Sequence, residues 1–276
     1  FAEIPEPGAM LDLCTGNGAI ALLAAAYAEQ HKRGYSITAV DAAAIRPDVI
    51  AGHFPEQAGL IKQVQFLGNS RVEDLDLEPA VYDLVTSQYG IEYCDWPAAA
   101  GQVARLLKPG GRLVMVNHTA TSDIMKFMEQ EHQQYAMLEK AGLFSSIGGF
   151  LAGELDYATM RRTLEELFRN LQMVVQQGGT PLFRSVHQML AGILSRDQAA
   201  LDQGRAHLQA YHDQTRHGFD RLADMLRVNR AIQSEPEWYR IFELAGLELK
   251  DSGELVYRGE HHAGAWFHFA KPAEAA

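Results

Sequence analysis

The stretch LDLCTGNGAIA, residues 11–21, places an apolar segment, a glycine turn and the start of a helix in direct succession. Leu11 and Leu13 are typical of a buried strand, and a run rich in Ala and Leu, typical of a helix, follows the turn. Gly16 and Gly18 allow a tight turn, which directs backbone N–H groups and the N-terminus of the helix towards a ligand. We therefore expect a ligand to bind at this turn.

Outward from this turn, residues 1–120 alternate between apolar runs of strand length and helical stretches. Strands separated by segments of helix length predict right-handed crossovers, and therefore a parallel, doubly wound sheet. The strands are predicted at 9–14, 36–41, 63–68, 82–87 and 111–118, and the helices at 18–33, 54–61 and 96–107.

Residues 236–276 return to the same mixture of helix and strand. A helix that ends at Gly246 precedes two strands joined around Glu260, His261 and His262, which predicts an antiparallel hairpin. The predicted fold class is therefore α/β: a Rossmann-like doubly wound sheet of seven strands, mostly parallel, with a C-terminal antiparallel hairpin.

Residues 121–235 differ from both flanking segments and are predicted to form a helical insertion between the fifth strand and the helix that follows it. The segment contains a single proline, Pro181, and repeats apolar residues at a spacing of three and four. The clearest apolar stripe comprises Met160, Leu164, Leu167, Leu171, Val174 and Val175.

Local residues predict the boundaries of several helices inside this insertion. A first helix spans about 122–140, and a glycine-containing loop at 145–154 is predicted to act as a hinge. Thr180 is a predicted N-cap, and Asp197 is predicted to cap a second long helix. The predicted domains are a core formed by 1–120 with 236–276, and the insertion 121–235.

The composition indicates a folded protein with a substantial core. The 276 residues are 47% hydrophobic and carry a net charge of −11, which disfavours a surface that follows nucleic-acid phosphates. No stretch approaches the roughly 20 uninterrupted apolar residues that a membrane helix needs. Cys14 and Cys94 are the only cysteines and match no metal or disulfide spacing, so a reducing compartment and a cytoplasmic location are expected.

The turn at 11–21 matches the glycine-rich loop of NAD-binding proteins. Gly16, Gly18 and Ala21 satisfy G-x-G-x-x-A, and Asp41 follows at about the 20-residue distance at which NAD-binding proteins hold a ribose. Asp12 argues against a dinucleotide as the ligand. An acid on the first strand suits a ligand with an ammonium group and would repel a pyrophosphate. A ligand other than a dinucleotide is therefore favoured.

Two further segments extend this pattern. YDLVTSQYGIEY, residues 82–93, has a polar turn after the fourth strand, and LLKPGGRLVMV, residues 106–116, combines a helix end, a Pro-Gly-Gly turn and the fifth strand. Together with the glycine turn and the C-terminal hairpin, these segments resemble the class I S-adenosylmethionine-dependent methyltransferases. The resemblance covers about 9–118 and 236–271 and leaves the insertion unaccounted for.

The resemblance implies S-adenosylmethionine as the cofactor and S-adenosylhomocysteine as its product. In that family the acid at the end of the second strand binds both ribose hydroxyls, and a glycine is usual where this chain has Cys14. The implied cofactor contacts are Asp12, Cys14, Gly16 and Gly18 around the methionine end, Asp41 and Ala42 at the ribose and adenine, Arg71, Val72 or Glu73 at the adenine edge, and Ser87 and Gln88 at the methionine group.

Candidates for the site of the methyl acceptor follow the fourth and fifth strands. Methyl transfer is an in-line displacement that needs alignment and exclusion of water, with a base only where the nucleophile loses a proton. Tyr89, Glu92 and His118 are the candidate catalytic residues, and His118 is favoured because its ordinary pKa lies near neutrality. The alternative is a histidine hydrogen-bonded at a strand end. His261 and His262 form a further candidate pair, and no metal site is evident.

The favoured function is methyl transfer from S-adenosylmethionine to an oxygen or nitrogen atom of a small molecule under a helical lid. Met125, Phe127, Met128, Tyr135 and Phe150 either line that lid or pack in an ordinary helical core. The insertion could instead pair two copies in a homodimer. Alternative functions are RNA or protein methylation, a non-catalytic cofactor-binding subunit and, last, a nicotinamide enzyme.

Overall fold

The structure, a computed structural model, describes residues 1–273. It divides the chain into two compact units. The sheet unit comprises Phe1–Asp123 and Val228–Ala276, and the helical unit comprises Ile124–Arg227. Among the described residues, no helix has both the length and the apolar character that crossing a bilayer requires.

Seven strands form one sheet in the order β3-β2-β1-β4-β5-β7-β6. The first five are parallel, whereas β7 runs antiparallel to both β5 and β6, so the predicted fold class is confirmed. The strands are β1 Gly8–Leu13, β2 Tyr35–Val40, β3 Val64–Leu67, β4 Tyr82–Gln88, β5 Leu107–Asn117, β6 Glu248–Tyr257 and β7 His261–Ala270.

Eleven α-helices connect or follow these strands within the described part of the chain, together with four short 3-10 turns. The helices are α1 Ala19–His31, α2 Pro47–His53, α3 Ala58–Ile61, α4 Trp96–Leu106, α5 Asp123–Lys140, α6 Leu143–Ala152, α7 Tyr157–Gln176, α8 Pro181–Leu194, α9 Gln198–Gln203, α10 Arg205–Ser234 and α11 Ile241–Leu244.

The strand order reverses between β1 and β4, and this reversal determines where a ligand can bind. Because β1 pairs with β2 on one side and with β4 on the other, the connections leave β1 and β4 towards opposite sides of the sheet. A crevice therefore opens beyond the carboxyl ends of β1 and β4, which is where open α/β sheets bind ligands.

Apolar layers cover the two faces of the sheet. Side chains of successive strand residues point to opposite faces, so Met10 and Ile37 pack with α1 on one face. Leu11 and Val85 pack on the other face with residues of α4 and with Phe242 of α11. Burial on both faces explains why these strands are mostly apolar.

The helical unit has its own core, built mainly from α7 and α8. Met160, Leu164, Leu167 and Leu171 form one buried face of α7, as their spacing predicted, but Val174 is exposed. They belong to one apolar cluster with Phe183, Val186, Leu190 and Ile193 of α8. At the start of α8, the Thr180 hydroxyl accepts a hydrogen bond from the backbone N–H of Phe183 at 3.4 Å, which confirms the predicted cap.

Three helix predictions were wrong in their extent. The stretch 145–154, predicted to be a hinge loop, lies mostly in α6, which ends at Ala152. Asp197 does cap a helix, but Gly204 separates the short α9 from α10. The helix predicted at 54–61 is α-helical only at Ala58–Ile61 and begins as a 3-10 turn at Pro55–Gln57; Pro55 disfavours a helical conformation at Phe54, which separates this turn from α2.

Candidate active site

The turn between β1 and α1 is tight and hydrogen-bonded, as Gly16 and Gly18 predicted. The backbone N–H of Thr15 donates to the carbonyl oxygen of Val40 at 3.0 Å, and that of Gly18 donates to Thr15 at 2.9 Å. Gly16 and Gly18 have φ values of 56° and 82°, in the left-handed region that favours glycine. A Cβ at Gly18 would also lie 2.8 Å from the Phe66 ring, whereas a Cβ at Gly16 would have no neighbouring heavy atom within 4 Å.

Asp41 closes this turn from the end of β2. Its Oδ2 accepts a hydrogen bond from the backbone N–H of Gly16 at 2.7 Å, and its Oδ1 accepts one from Ala43 at 2.8 Å. The side chain is half-buried, and the neighbouring Ala42 is exposed. The acid predicted to hold a ribose is therefore hydrogen-bonded to the glycine turn predicted to surround the methionine end.

Asp12 lies beneath the same turn and is only 1% exposed. Its Oδ2 accepts a hydrogen bond from the Thr15 hydroxyl at 2.5 Å, and its Oδ1 accepts one from the Thr86 hydroxyl at 2.7 Å. Burial raises the pKa of this carboxyl, and the two hydroxyl donors oppose that rise. Asp12 thus braces β1 against β4 and places an acid under the turn; its contact with an ammonium group stays a prediction.

Cys14 and Gly90 connect the turn after β1 to the turn after β4. Cys14 has φ of 54°, a conformation that glycine adopts without strain, which explains why glycine is usual there. A Cβ at Gly90 would lie 2.2 Å from the Cβ of Cys14, so only glycine fits at that contact. The Sγ atoms of Cys14 and Cys94 are 3.7 Å apart, and the hydrogen bond with Cys94, followed by burial, raises the pKa of the Cys14 thiol.

Glu92 ties the turn after β4 to the end of β5 and is 1% exposed. Its Oε1 accepts a hydrogen bond from the backbone N–H of His118 at 3.0 Å, and its Oε2 accepts one from Asn117 Nδ2 at 2.8 Å. Burial raises the pKa of the Glu92 carboxyl, and these donors oppose that rise. A carboxylate occupied in this way holds its neighbours in position.

His118 is 7% exposed and stacks on Tyr89, with ring centroids 4.5 Å apart. Burial lowers the pKa of His118 to about 4, so its imidazole is neutral at pH 7. The expectation from the sequence that His118 titrates near neutrality was therefore wrong. Burial also raises the pKa of Tyr89, whose hydroxyl donates to the carbonyl oxygen of Ala263 at 3.3 Å. The pair therefore presents two neutral aromatic rings beyond the carboxyl ends of β4 and β5.

The remaining predicted cofactor contacts differ in their surroundings. Ser87 is buried, and its hydroxyl accepts a hydrogen bond from the backbone N–H of Ile91 at 3.1 Å, whereas Gln88 is exposed. Arg71 is exposed and forms an ion pair with Glu73 at 3.4 Å. Val72 is buried in the core of the sheet unit. The roles of these residues at a cofactor stay predictions.

Several candidates from the sequence lie apart from this cluster. His261 is exposed, and the backbone N–H of His262 donates to Asp123 at 3.2 Å. Tyr135 and Phe150 pack in the core of the helical unit, as the alternative interpretation held. Of the other proposed lining residues, Phe127 is 57% exposed, Met128 is half-buried and Met125 is buried.

Three polar residues of the cluster were not identified from the sequence. Thr15 and Thr86 are the partners of Asp12, and Asn117 is the partner of Glu92. Thr86 lies directly opposite Asp12 in the β1–β4 register. A threonine in an otherwise apolar strand next to an acid-bearing strand was the signal available, since buried carboxylates require hydrogen-bond donors.

A cavity of about 820 Å³ lies on the sheet unit. Its lining includes Ile4, Val114, Trp266 and His268, but none of Gly16, Asp41 or His118. It shares Thr86, Ser87 and Gln88 with the edge described above. Because it omits the glycine turn, its size does not make it the cofactor site.

A family model described as a methyltransferase domain matches residues 1–177. The 2-phytyl-1,4-naphtoquinone methyltransferase of Thermosynechococcus vestitus is 28% identical over 142 residues, which are 50% of this chain and 59% of that protein. The chain thus spans about three fifths of the length of this curated relative.

Two solved structures are also similar. The geranyl diphosphate C-methyltransferase of Streptomyces coelicolor A3(2), in complex with Mg²⁺, geranyl-S-thiolodiphosphate and S-adenosylhomocysteine, has 18% identity and a TM-score of 0.36 over 42% of this chain and 40% of that chain. A TehB-like S-adenosylmethionine-dependent methyltransferase of Corynebacterium glutamicum has 12% identity and a TM-score of 0.42 over 98% and 83%.

Proposed function

The chain belongs to the methyltransferase-domain family, whose members use S-adenosylmethionine, and we propose that it transfers a methyl group to an oxygen or nitrogen atom of a small molecule. The observation that carries this proposal is the hydrogen bond between Asp41 and the Gly16 backbone, beside an acid buried under the same turn. It joins the ribose end and the methionine end of the expected site.

The residues of this turn fit S-adenosylmethionine. The space beside Gly16 is open, so the backbone of the turn can approach a ligand closely. Asp41 is half-buried, and a carboxylate with one donor on each oxygen retains lone pairs for ribose hydroxyls. The acid of Asp12 under the turn favours a ligand with positive charge over a pyrophosphate. When bound, the cofactor supplies an electrophilic methyl group on a positively charged sulfur.

The chain's own residues align the acceptor and exclude water. Glu92 holds the backbone of His118 and the side chain of Asn117 at the end of β5. The neutral ring of His118, stacked on Tyr89, can accept a hydrogen bond or a proton from the acceptor. Because Cys14 and Gly90 are in close contact, the turns that serve cofactor and acceptor are mechanically linked.

The helical insertion is proposed to cover the acceptor. It follows β5 directly, and loops after strand ends build the substrate sites of such sheets. The exposed Phe127 near the start of α5 is an apolar group available for that purpose. Amide hydrogen exchange tests this role, since bound S-adenosylhomocysteine together with an acceptor should protect α5, whereas unchanged exchange there would contradict it.

A small-molecule acceptor is supported by the relative from T. vestitus, whose name specifies a naphthoquinone substrate. Transfer of labelled methyl groups from S-adenosylmethionine to a panel of phenols, naphthols, amines, RNA and protein tests this assignment. Product should form with small molecules and not with macromolecules. Methylation of RNA, with the steep salt dependence of phosphate binding, would support the RNA alternative. Tight binding of S-adenosylhomocysteine without turnover of any acceptor would support a non-catalytic subunit.

A further inference from the structure

Three consecutive residues at the end of β5 carry buried polar atoms without a hydrogen-bond partner. Within residues 1–273, such atoms occur on six side chains, and three of them are Asn117 Oδ1, His118 Nδ1 and Thr119 Oγ1. Buried polar atoms are normally paired, because leaving one unpaired in the interior is unfavourable. These atoms are concentrated at a strand end where open α/β sheets bind ligands, which indicates that a bound molecule supplies their missing hydrogen-bond partners.

The orientation of the Asn117 amide is determined by Glu92. Asn117 Nδ2 lies 2.8 Å from Glu92 Oε2, and the other carboxylate oxygen accepts the backbone N–H of His118 at 3.0 Å. A carboxylate with a donor on each oxygen requires the NH₂ group of Asn117 to face it. The carbonyl oxygen Oδ1 therefore faces away from Glu92, and it can only accept a hydrogen bond.

The neighbouring groups make this cluster uncharged and rich in acceptors. The imidazole of His118 is neutral at pH 7, because burial lowers its pKa to about 4, so one ring nitrogen is an acceptor. Thr119 offers a hydroxyl that can accept or donate. The acidic side chain of Glu92 is hydrogen-bonded to Asn117 and to the backbone of His118. An anionic group would thus meet no cation among these three side chains, whereas a neutral O–H or N–H would find acceptors.

We propose that Asn117, His118 and Thr119 form the acceptor subsite and that it takes a neutral aromatic hydroxyl or amine, whose hydrogen is donated to Asn117 Oδ1. The stacked aromatic pair of Tyr89 and His118 lies beside these atoms, and aromatic rings pack favourably against one another. This assignment rests on the methyl transfer proposed above and adds the chemical class of the acceptor.

The transfer step balances with these groups. The acceptor oxygen or nitrogen forms a bond to the methyl carbon, the bond between carbon and sulfur breaks, and its electron pair stays on sulfur as a neutral thioether. The acceptor's proton becomes strongly acidic as the new bond forms. It can therefore leave its hydrogen bond with Asn117 Oδ1 and pass to the neutral imidazole of the adjacent His118 and then to solvent, although the pKa of that ring is only about 4.

Glu92→Gln tests the subsite without removing any side chain. The backbone N–H of His118 cannot reverse, so the glutamine oxygen remains on it and the glutamine NH₂ group faces Asn117. The Asn117 amide must then rotate, which presents its NH₂ group where its oxygen had been. The variant should bind 1-naphthol and 1-naphthylamine at least tenfold more weakly than the native chain, while its affinity for S-adenosylhomocysteine changes less than twofold.

The measurement is calorimetric titration of the full chain saturated with S-adenosylhomocysteine, using 1-naphthol, 1-naphthylamine and 1-naphthoate. The native chain should bind 1-naphthol or 1-naphthylamine at least tenfold more tightly than 1-naphthoate. Glu56→Gln, at an exposed position, is the matched control and should change nothing. If Glu92→Gln fails to fold, Thr119→Val is the second test variant. It removes one hydrogen-bond acceptor at nearly constant side-chain shape and should weaken the binding of 1-naphthol several-fold.

Three results would overturn the subsite. They are equal or tighter binding of 1-naphthoate, absence of binding by both 1-naphthol and 1-naphthylamine, and native affinity for both in a folded Glu92→Gln variant. Failure of the native chain to bind S-adenosylhomocysteine would have a different meaning, since it would refute the proposed function itself.

Discussion

At the scale of single residues, the turn after β1 combines two separate demands on glycine. Gly16 has a positive φ and open space around it, whereas Gly18 has a positive φ and also contacts the Phe66 ring. A side chain at Gly16 would therefore strain only the backbone. A side chain at Gly18 would strain the backbone and also displace a ring of the sheet unit.

Replacement of each glycine by alanine should separate these two effects. Gly16→Ala is expected to destabilise the chain by about 1–2 kcal/mol, the usual penalty of a left-handed alanine. Gly18→Ala should destabilise it by about 1–3 kcal/mol more, because Phe66 must also move. Urea unfolding followed by circular dichroism measures both, and equal losses for the two variants would contradict the role assigned to Phe66.

Asp12 should make stability depend on pH in a defined direction. Its pKa is raised in the folded chain, mainly by burial, so the folded state binds a proton more readily than the unfolded state does. The unfavourable burial of its charge is therefore largest at neutral pH and is relieved as the pH falls through the raised pKa.

The variant Asp12→Asn cannot titrate and serves as the reference. The free energy of unfolding of the native chain, relative to that of Asp12→Asn, should rise between pH 7.5 and pH 5. Chemical denaturation at both pH values gives this difference. If the relative free energy of unfolding instead decreases as the pH is lowered, the hydrogen bonds from Thr15 and Thr86 outweigh the effect of burial on the pKa of Asp12.

The thiol of Cys14 should be unreactive in the folded chain. Its hydrogen bond with Cys94 and its burial raise its pKa, so little thiolate is present at pH 8. Alkylation by iodoacetamide, followed by peptide mass spectrometry, should be much slower at Cys14 than in the urea-unfolded chain. Cys94→Ala removes the largest cause of the raised pKa and should accelerate the reaction. Alkylation of the native chain at the unfolded rate would show that the thiol is accessible and ionised.

At the scale of elements, glycine-rich segments were the ones that local sequence patterns described poorly. The segment 145–154 contains three glycines, which favour a loop in isolation, yet most of it is the buried helix α6. Ile147 and Phe150 are buried with residues of α7 and α8, and Gly149 packs against Leu155, so packing outweighs low helix propensity there. The strands and the α7 stripe were predictable, because burial on fixed faces imposes a period on the sequence.

Two helical glycines allow a matched test of this explanation. A Cβ at Gly149 of α6 would lie 2.9 Å from the Leu155 side chain, whereas Gly192 of α8 is exposed with no atom within 4 Å. Gly192→Ala should stabilise the chain by about 0.5–1 kcal/mol through helix propensity. Gly149→Ala should be destabilising or neutral. Thermal unfolding of both variants measures this difference. Equal stabilisation by the two substitutions would contradict the explanation that packing at Gly149 outweighs helix propensity in α6.

At the scale of the whole molecule, the sequence predicted the sheet, its glycine turn and the position of a helical insertion in chain order. It did not predict the partnership of Glu92 with Asn117, because side-chain contacts between segments 25 residues apart leave no periodic signal. It also misjudged the titration of His118, since its burial depends on the completed fold. Lid formation, homodimerisation and a cytoplasmic location stay predictions.

The central claim is that the turn formed by Asp12, Gly16 and Asp41 holds S-adenosylmethionine. The most direct measurement is calorimetric titration of the full chain with S-adenosylhomocysteine and, separately, with NAD. S-adenosylhomocysteine should bind one to one, and Asp41→Ala should weaken it at least tenfold while the exposed Asp48→Ala leaves it unchanged. Binding of NAD without binding of S-adenosylhomocysteine would contradict the account.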